Sequence, residues 1–278
     1  MTTQEAAMTR TARITTRTAA PERPVGAGPK LFCFPHAGAG TSAFGGWPAL
    51  LGASARPVPV LLPGRDSRRR EPRVTGVRGL FADLLRHHGP PPEEPYILYG
   101  HSLGGLIAYS VTRALEKAGR RGPELVVVGA CPPPDTRTAL ADACELPDDR
   151  LLDLLETFGA VEPGTPRGGI WQRTALGVIR DDLRLARELR RAADGPLATP
   201  LLTIAGTDDP VAGPEVMDGW RAWADSIHGR RTVAGDHYFV RGRALPELLG
   251  RLCKDVQRLS HAGASINEGQ PLLMKGSR

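Results

Sequence analysis

One serine, one histidine and a pair of adjacent aspartates are spaced along this chain as a nucleophile, its base and an orienting acid would be. Tyr99-Gly100-His101-Ser102-Leu103-Gly104-Gly105 follows a short apolar run at 96–99. Behind it, Leu103, Leu106, Ile107, Val111, Ala114 and Leu115 recur with helical spacing. Strand, tight turn with Ser at its tip, then helix is the context in which G-x-S-x-G carries chemistry. The turn strains the Ser102 backbone so that the hydroxyl projects clear of the sheet. Gly100 and Gly104 make room by lacking a Cβ. The helix start behind Ser102 offers free N–H groups and partial positive charge where an oxyanion would develop.

Downstream, Leu201-Leu202-Thr203-Ile204-Ala205 reads as a strand and delivers Gly206-Thr207-Asp208-Asp209-Pro210-Val211; after a last strand comes Gly235-Asp236-His237-Tyr238-Phe239. The chain order is thus Ser, acid, His, the order of α/β-hydrolases and not of other triad folds. Of seven histidines, His237 is placed just past a terminal strand at the right point in the chain. Adjacent residues leaving a strand point opposite ways, so only one aspartate can orient the imidazole. The G-x-x-D spacing from Gly206 selects Asp209 and leaves Asp208 as a turn residue. Upstream, Leu31-Phe32-Cys33-Phe34 runs into the loop Pro35-His36-Ala37-Gly38-Ala39-Gly40. That loop lacks the G-K-[ST] of a phosphate cradle and the G-x-G-x-x-G of a dinucleotide site. It suits a second oxyanion N–H, from Ala37.

The elements that must position these residues alternate. Strands at 31–34, 58–62, 96–99, 125–128, 201–205 and 230–233 are separated by helical stretches at 42–51, 74–88, 103–115 and 214–227, and a helix at 245–259 closes the pattern. This predicts a mostly parallel sheet with helices on both faces, with Pro59 confining its strand to an edge or irregular position. Residues 29–134 and 196–259 form that α/β core. Residues 135–195 break the rhythm with helical patterns at 148–158 and 170–193 and no strand, which reads as an inserted lid, with an ordinary long crossover as the alternative. Residues 1–28 lack large apolar side chains and read as a disordered extension, though their Arg-rich, acid-poor make-up is shared by transit peptides. Residues 260–278 read as a loose tail.

A chain of 278 residues that is 41% hydrophobic supports one large core. No run is long enough to span a membrane. The four cysteines, without C-x-x-C pairing or His-rich company, predict neither disulfides nor a metal site and fit a reducing, cytoplasmic setting. The net charge of +6 is concentrated at the ends: residues 1–30 hold five basic against two acidic side chains, and 260–278 two against one. The body is close to neutral, so nucleic acid is not an expected partner. The run Arg68-Arg69-Arg70 reads as a solvated loop or as a patch for a phosphate or acidic partner.

Five separated segments together resemble the type II thioesterases that accompany polyketide synthases and nonribosomal peptide synthetases. They are Phe34–Gly40, Leu62-Pro63-Gly64-Arg65 with Glu71-Pro72, Gly100–Gly105, Gly206–Val211 and Gly235–Phe239. The resemblance implies an α/β-hydrolase fold with a helical lid, and hydrolysis of acyl groups from the phosphopantetheine of acyl or peptidyl carrier proteins. It makes Ser102 the nucleophile, His237 the base and Asp209 the acid, with the Ala37 and Leu103 N–H groups as oxyanion donors. It implies a monomer that needs no cofactor or metal, with Arg of the lid or of the 65–70 loop steering an acidic carrier. The rival readings are an esterase for small free esters and a non-catalytic carrier-binding module on the same fold.

Overall fold

In the computed structural model, which describes residues 28–261 apart from 163, 165, 166 and 227, six parallel strands form one sheet in the order β2-β1-β3-β4-β5-β6. The strands are β1 (Lys30–Phe34), β2 (Arg56–Pro59), β3 (Tyr96–His101), β4 (Leu125–Gly129), β5 (Leu201–Gly206) and β6 (His228–Val233). The expectations for residues 1–27 and 262–278 lie outside the described residues. β3, β4 and β5 are buried at every position, which explains their unbroken apolar runs: both faces of a parallel strand are covered. β2 pairs with β1 alone, so the missing N–H groups of Pro57 and Pro59 cost no second ladder. It starts two residues before the expected position because Arg56 N–H donates to Pro29 at the sheet's beginning.

The helices are α1 (Trp47–Leu51), α2 (Val77–His88), α3 (Leu103–Lys117), α4 (Asp148–Thr157), α5 (Ile170–Arg191), α6 (Pro214–Met217) and α7 (Ala244–His261). Two expected helices are interrupted. Gly45 and Gly46 split the stretch at 42–51, leaving one 3-10 turn before α1. The stretch at 214–227 passes from α6 into a 3-10 segment that seats Trp220, whose indole N–H donates to the Cys131 carbonyl. The α2 helix starts at Val77, later than expected, because Gly76 is its extended N-cap.

Two apolar layers sandwich the sheet. One joins Leu31, Ile97 and Tyr99 to Trp47, Leu249 and Val256; the other joins Leu98, Val126 and Val128 to Leu80, Leu106 and Trp220. A third, smaller cluster holds Leu151, Leu155, Leu176 and Leu183, so α4 and α5 share a core of their own. The α5 helix belongs to both worlds, since Leu185 and Leu189 lie in the sheet's layer.

The chain leaves β1 for β2 on one side and returns to β3 on the other. The carboxyl ends of β1 and β3 therefore open a crevice, where parallel α/β sheets place their sites. Ser102 follows β3 and the loop at 35–40 follows β1, so both expected elements meet there.

Arg68 meets neither expectation for its loop. Its guanidinium donates to both Asp83 oxygens, to both Glu71 oxygens and to the Leu61 carbonyl, with its side chain 10% exposed. It ties the loop to α2, whereas Arg69 and Arg70 face solvent. Removing Arg68 strips the buried Asp83 carboxylate of its guanidinium and leaves it only His87 Nδ1, 3.2 Å from its Oδ1, so Arg68→Met should cost about 2 kcal/mol in urea unfolding. Arg70→Ala should stay within about 0.5 kcal/mol of wild type. Equal, small effects would contradict the internal role of Arg68.

Candidate active site

Ser102 stands between the end of β3 and the start of α3 with φ 54° and ψ −116°, a region that side chains rarely enter. The turn is too tight for side chains around it. A Cβ on Gly100 would lie 1.9 Å from the Gly104 carbonyl oxygen, and one on Gly104 would lie 2.1 Å from the Phe34 carbonyl oxygen. Ser102 N–H donates to Gly129 of β4, and Gly105 N–H donates back to Ser102, 2.8 Å each. The hydroxyl is thereby aimed outward at the carboxyl edge of the sheet.

His237 Nε2 lies 3.3 Å from Ser102 Oγ, and its Nδ1 lies 2.9 Å from Asp209 Oδ2 and 3.1 Å from Oδ1. A carboxylate can only accept, so Nδ1 carries the proton and Nε2 presents its lone pair to the serine hydroxyl. Both the His237 and the Asp209 side chains are buried. Burial pushes the Asp209 carboxyl up, but hydrogen bonds from His237 and from Ala212 and Val211 N–H outweigh it and hold the group below the usual range. Asp208 is exposed, and its Oδ2 accepts from the neighbouring Thr207 hydroxyl at 2.9 Å. The three residues that the chain order singled out are brought together, and the geometry separates the two aspartates as their spacing did.

Leu103 is the first residue of α3, where an N–H has no partner within the helix. Ala37 lies in the loop after β1. Both line a cavity of about 710 Å³ that also contains Ser102 and His237. Its far wall is apolar, from Leu155, Phe158, Ile179 and Leu183 of the α4–α5 region, and Arg241 and Arg243 lie at its edge.

Sequence reasoning missed His101. This side chain is fully buried beneath the site, with Nε2 2.8 Å from the His237 carbonyl oxygen and Nδ1 2.7 Å from the Tyr99 hydroxyl. The carbonyl fixes the tautomer: Nε2 donates and Nδ1 accepts from Tyr99. Burial drives its pKa far down, helped by the nearby His36 and His237, so the ring stays neutral. Strand alternation could have flagged it, since His101 shares a face with Tyr99. Equally hidden was Asp182 of α5, which bonds Arg65 and the Gly38 N–H.

Among the described residues, one cluster has metal-ligand chemistry: Glu71, Asp83 and His87. The Arg68 guanidinium already bonds both carboxylates there, so the positive charge is supplied by the chain itself. The four cysteines are buried free thiols, and burial pushes Cys253 up to about 12. No helix among the described residues is long and apolar enough to cross a membrane.

Comparison with known proteins gives the family. The thioesterase domain family matches residues 29–256, and the chain belongs to it. Its match to the antimetabolite synthetase AmbE of Pseudomonas aeruginosa is 32% identical over 213 residues, 76% of this chain and 10% of that protein. A probable cadicidin biosynthesis thioesterase of Streptomyces griseus is 30% identical over 213 residues, 76% of this chain and 58% of that one. Among solved structures, the RedJ thioesterase of the prodiginine pathway in Streptomyces coelicolor superposes with a TM-score of 0.71 at 31% identity, over 87% of this chain and 99% of that chain. YbtT, a type II thioesterase of the yersiniabactin NRPS/PKS pathway, gives 0.70 at 25% identity, over 87% and 95%. The fold is that of the α/β-hydrolases, and the enzyme class is that of the serine hydrolases.

The buried histidine makes stability depend on pH. His101 holds no added proton in the folded state, whereas the unfolded chain takes one up near pH 6.5. The unfolded state is thus the better proton binder below that pH, so stability rises with pH up to about 6.5 and falls below it. Each such group contributes a slope of about 1.4 kcal/mol per pH unit. His36, lowered to about 3 by burial and by Arg241 and His237, adds to the same trend. Urea unfolding between pH 7.5 and 5.0 should show this loss, and His101→Gln should be shallower by one proton. Parallel pH profiles would contradict the neutral, buried role of His101.

Proposed function

We propose that this chain is a type II thioesterase of a polyketide or nonribosomal peptide system, and that it hydrolyses acyl groups from carrier-protein phosphopantetheine. The observation that carries the reading is the line from Asp209 through His237 to Ser102, which ends in the cavity of about 710 Å³. In this reaction His237 Nε2 takes the Ser102 proton as Oγ attacks the thioester carbonyl. The Ala37 and Leu103 N–H groups hold the tetrahedral oxyanion. The pantetheine sulfur leaves with the proton from His237, and Asp209 stabilises the transient imidazolium. Water, deprotonated by His237, then attacks acyl-Ser102 and releases the acid. The chain's own groups carry every step, without a cofactor or metal.

Residues 135–195 serve as the lid of this site, with the apolar side chains of α4 and α5 receiving the acyl chain. The relatives support the pathway: the Streptomyces griseus protein is a probable cadicidin biosynthesis thioesterase, and YbtT belongs to an NRPS/PKS pathway. Steering of an acidic carrier falls to arginines of the lid, to the exposed Arg69 and Arg70 of the loop, and to Arg241 and Arg243. Arg65 and Arg68 are spent on internal carboxylates, whereas Arg241 and Arg243 are exposed at the cavity's edge. The enzyme acts as a monomer in the cytoplasm in this reading.

Ser102→Ala should abolish hydrolysis of an acyl-pantetheine thioester without loss of fold. Asp209→Asn should lower turnover by roughly two to four orders of magnitude, as in triads that lose their acid. Asp208→Asn should stay within a factor of about three. A reversed order of the two aspartates would transfer the acid's role to Asp208.

For the partner, kcat/KM on an acyl carrier protein should exceed that on the same acyl group carried by a short pantetheine mimic. Added salt should erode the difference, because it screens charge steering. Equal rates without a salt effect would argue for a small-molecule esterase.

A further inference from the structure

The best-held polar contact above the cavity takes no part in these proton transfers. Asp182 lies in the middle of α5 and is 1% exposed. Its Oδ1 accepts Arg65 Nη2 at 2.6 Å, and its Oδ2 accepts both Arg65 Nη1 and the Gly38 N–H at 2.7 Å. Arg65 Nη1 reaches on to the Ala39 carbonyl at 3.1 Å. The two residues after Ala37 are therefore gripped through an N–H by Asp182 and through a C=O by Arg65. The helix also presses on the loop directly. Gly38 has φ 80°, and a Cβ there would lie 2.7 Å from Ile179 Cγ1 on α5.

A loop reading Ala37-Gly38-Ala39-Gly40 has few side chains of its own to fix it. An oxyanion donor is effective only when it is held in place before the charge develops, and small displacements cost rate steeply. We propose that Asp182 is a positioning residue for the reaction, holding the Ala37 N–H in register from the helix above through Gly38 and Arg65. This rests on the reading of Ala37 as an oxyanion donor.

The double variant Arg65→Met/Asp182→Leu separates this role from plain stabilisation. It removes both charges together, so neither is left buried and unpaired, and apolar replacement of a buried pair is often neutral for stability. It also deprives the Gly38 N–H of its acceptor. The readouts are Tm, kcat and KM on an acyl N-acetylcysteamine thioester, and the Ki of a trifluoromethyl ketone of the same chain length, whose hemiketal oxyanion occupies the hole. The expected result is a Tm within a few degrees of wild type, kcat lowered roughly 10- to 100-fold, KM within about threefold, and Ki raised by the same factor as kcat falls. Arg65→Met/Asp182→Asn, which restores an acceptor oxygen for the Gly38 N–H and leaves no charge buried, should recover most of that loss. If the double variant does not fold, Asp182→Ala assayed well below its own Tm supplies the same two constants. A variant with wild-type kcat and Ki, or one in which only kcat falls, would overturn the positioning role alone. A wild-type enzyme that binds the ketone no better than the thioester would overturn the oxyanion reading itself, and this proposal with it.

Discussion

Everything at this site depends on a backbone that Ser102 would not choose. Its φ of 54° costs about 1–3 kcal/mol and persists only where the surroundings over-determine it. Here the surroundings are the Gly100 and Gly104 contacts on either side and the β4 carbonyl of Gly129 above its N–H. The residue just before it extends the same constraint. His101 sits under the turn and bonds the His237 backbone, so the strand that presents the serine also carries a support for the loop that brings the imidazole. Tyr99 completes the line, with its hydroxyl on His101 and its ring against Trp47 and Phe44 in the core below α1 and α7. Alternate residues of one strand thus connect the apolar layer to the Ser102–His237 geometry.

A second line comes down from above. The α5 helix contributes Leu185 and Leu189 to the sheet's layer and Leu176 and Leu183 to the small cluster shared with α4. Asp182 lies between those sets and faces Arg65 and the loop after β1. Pulling α5 away would break the two Arg65 bonds and the Gly38 N–H bond to Asp182 and uncover the apolar contacts of Leu185 and Leu189. The middle of α5 is therefore part of the floor as much as of the roof, and it joins the region at 135–195 to the sheet more firmly than a detached cap.

Much of this was legible in the chain, and the parts that were share a cause. Ser102 and Asp209 each follow an apolar run broken by Gly, and His237 follows the short polar strand that ends at Val233, before Gly235. Pro59 limited its strand to an edge or irregular position because a missing N–H cannot serve a second ladder, and β2 takes the edge. What stayed hidden depends on partners remote in sequence. Asp182 sits on what reads as the polar face of an amphipathic helix, and nothing local shows that Arg65, 117 residues earlier, will bury it. Arg68 looks like one of three solvated arginines until α2 supplies Asp83. The break at Gly45-Gly46 follows from glycine's poor helix propensity, whereas the short α6 followed by a 3-10 segment shows packing, around Trp220, deciding where propensity alone was indifferent.

The central claim is that acyl transfer passes through Ser102. Rapid-quench mixing of the enzyme with an acyl-pantetheine thioester, followed by digestion and mass spectrometry, tests it most directly. The cavity wall holds another nucleophile for comparison, Cys131, whose thiol burial pushes up to about 11 and so keeps protonated. The account predicts an acyl mass increment on the peptide containing Ser102, appearing before the free acid and absent from Ser102→Ala. An increment on Cys131, or steady turnover with no acylated peptide at any time after mixing, would contradict it.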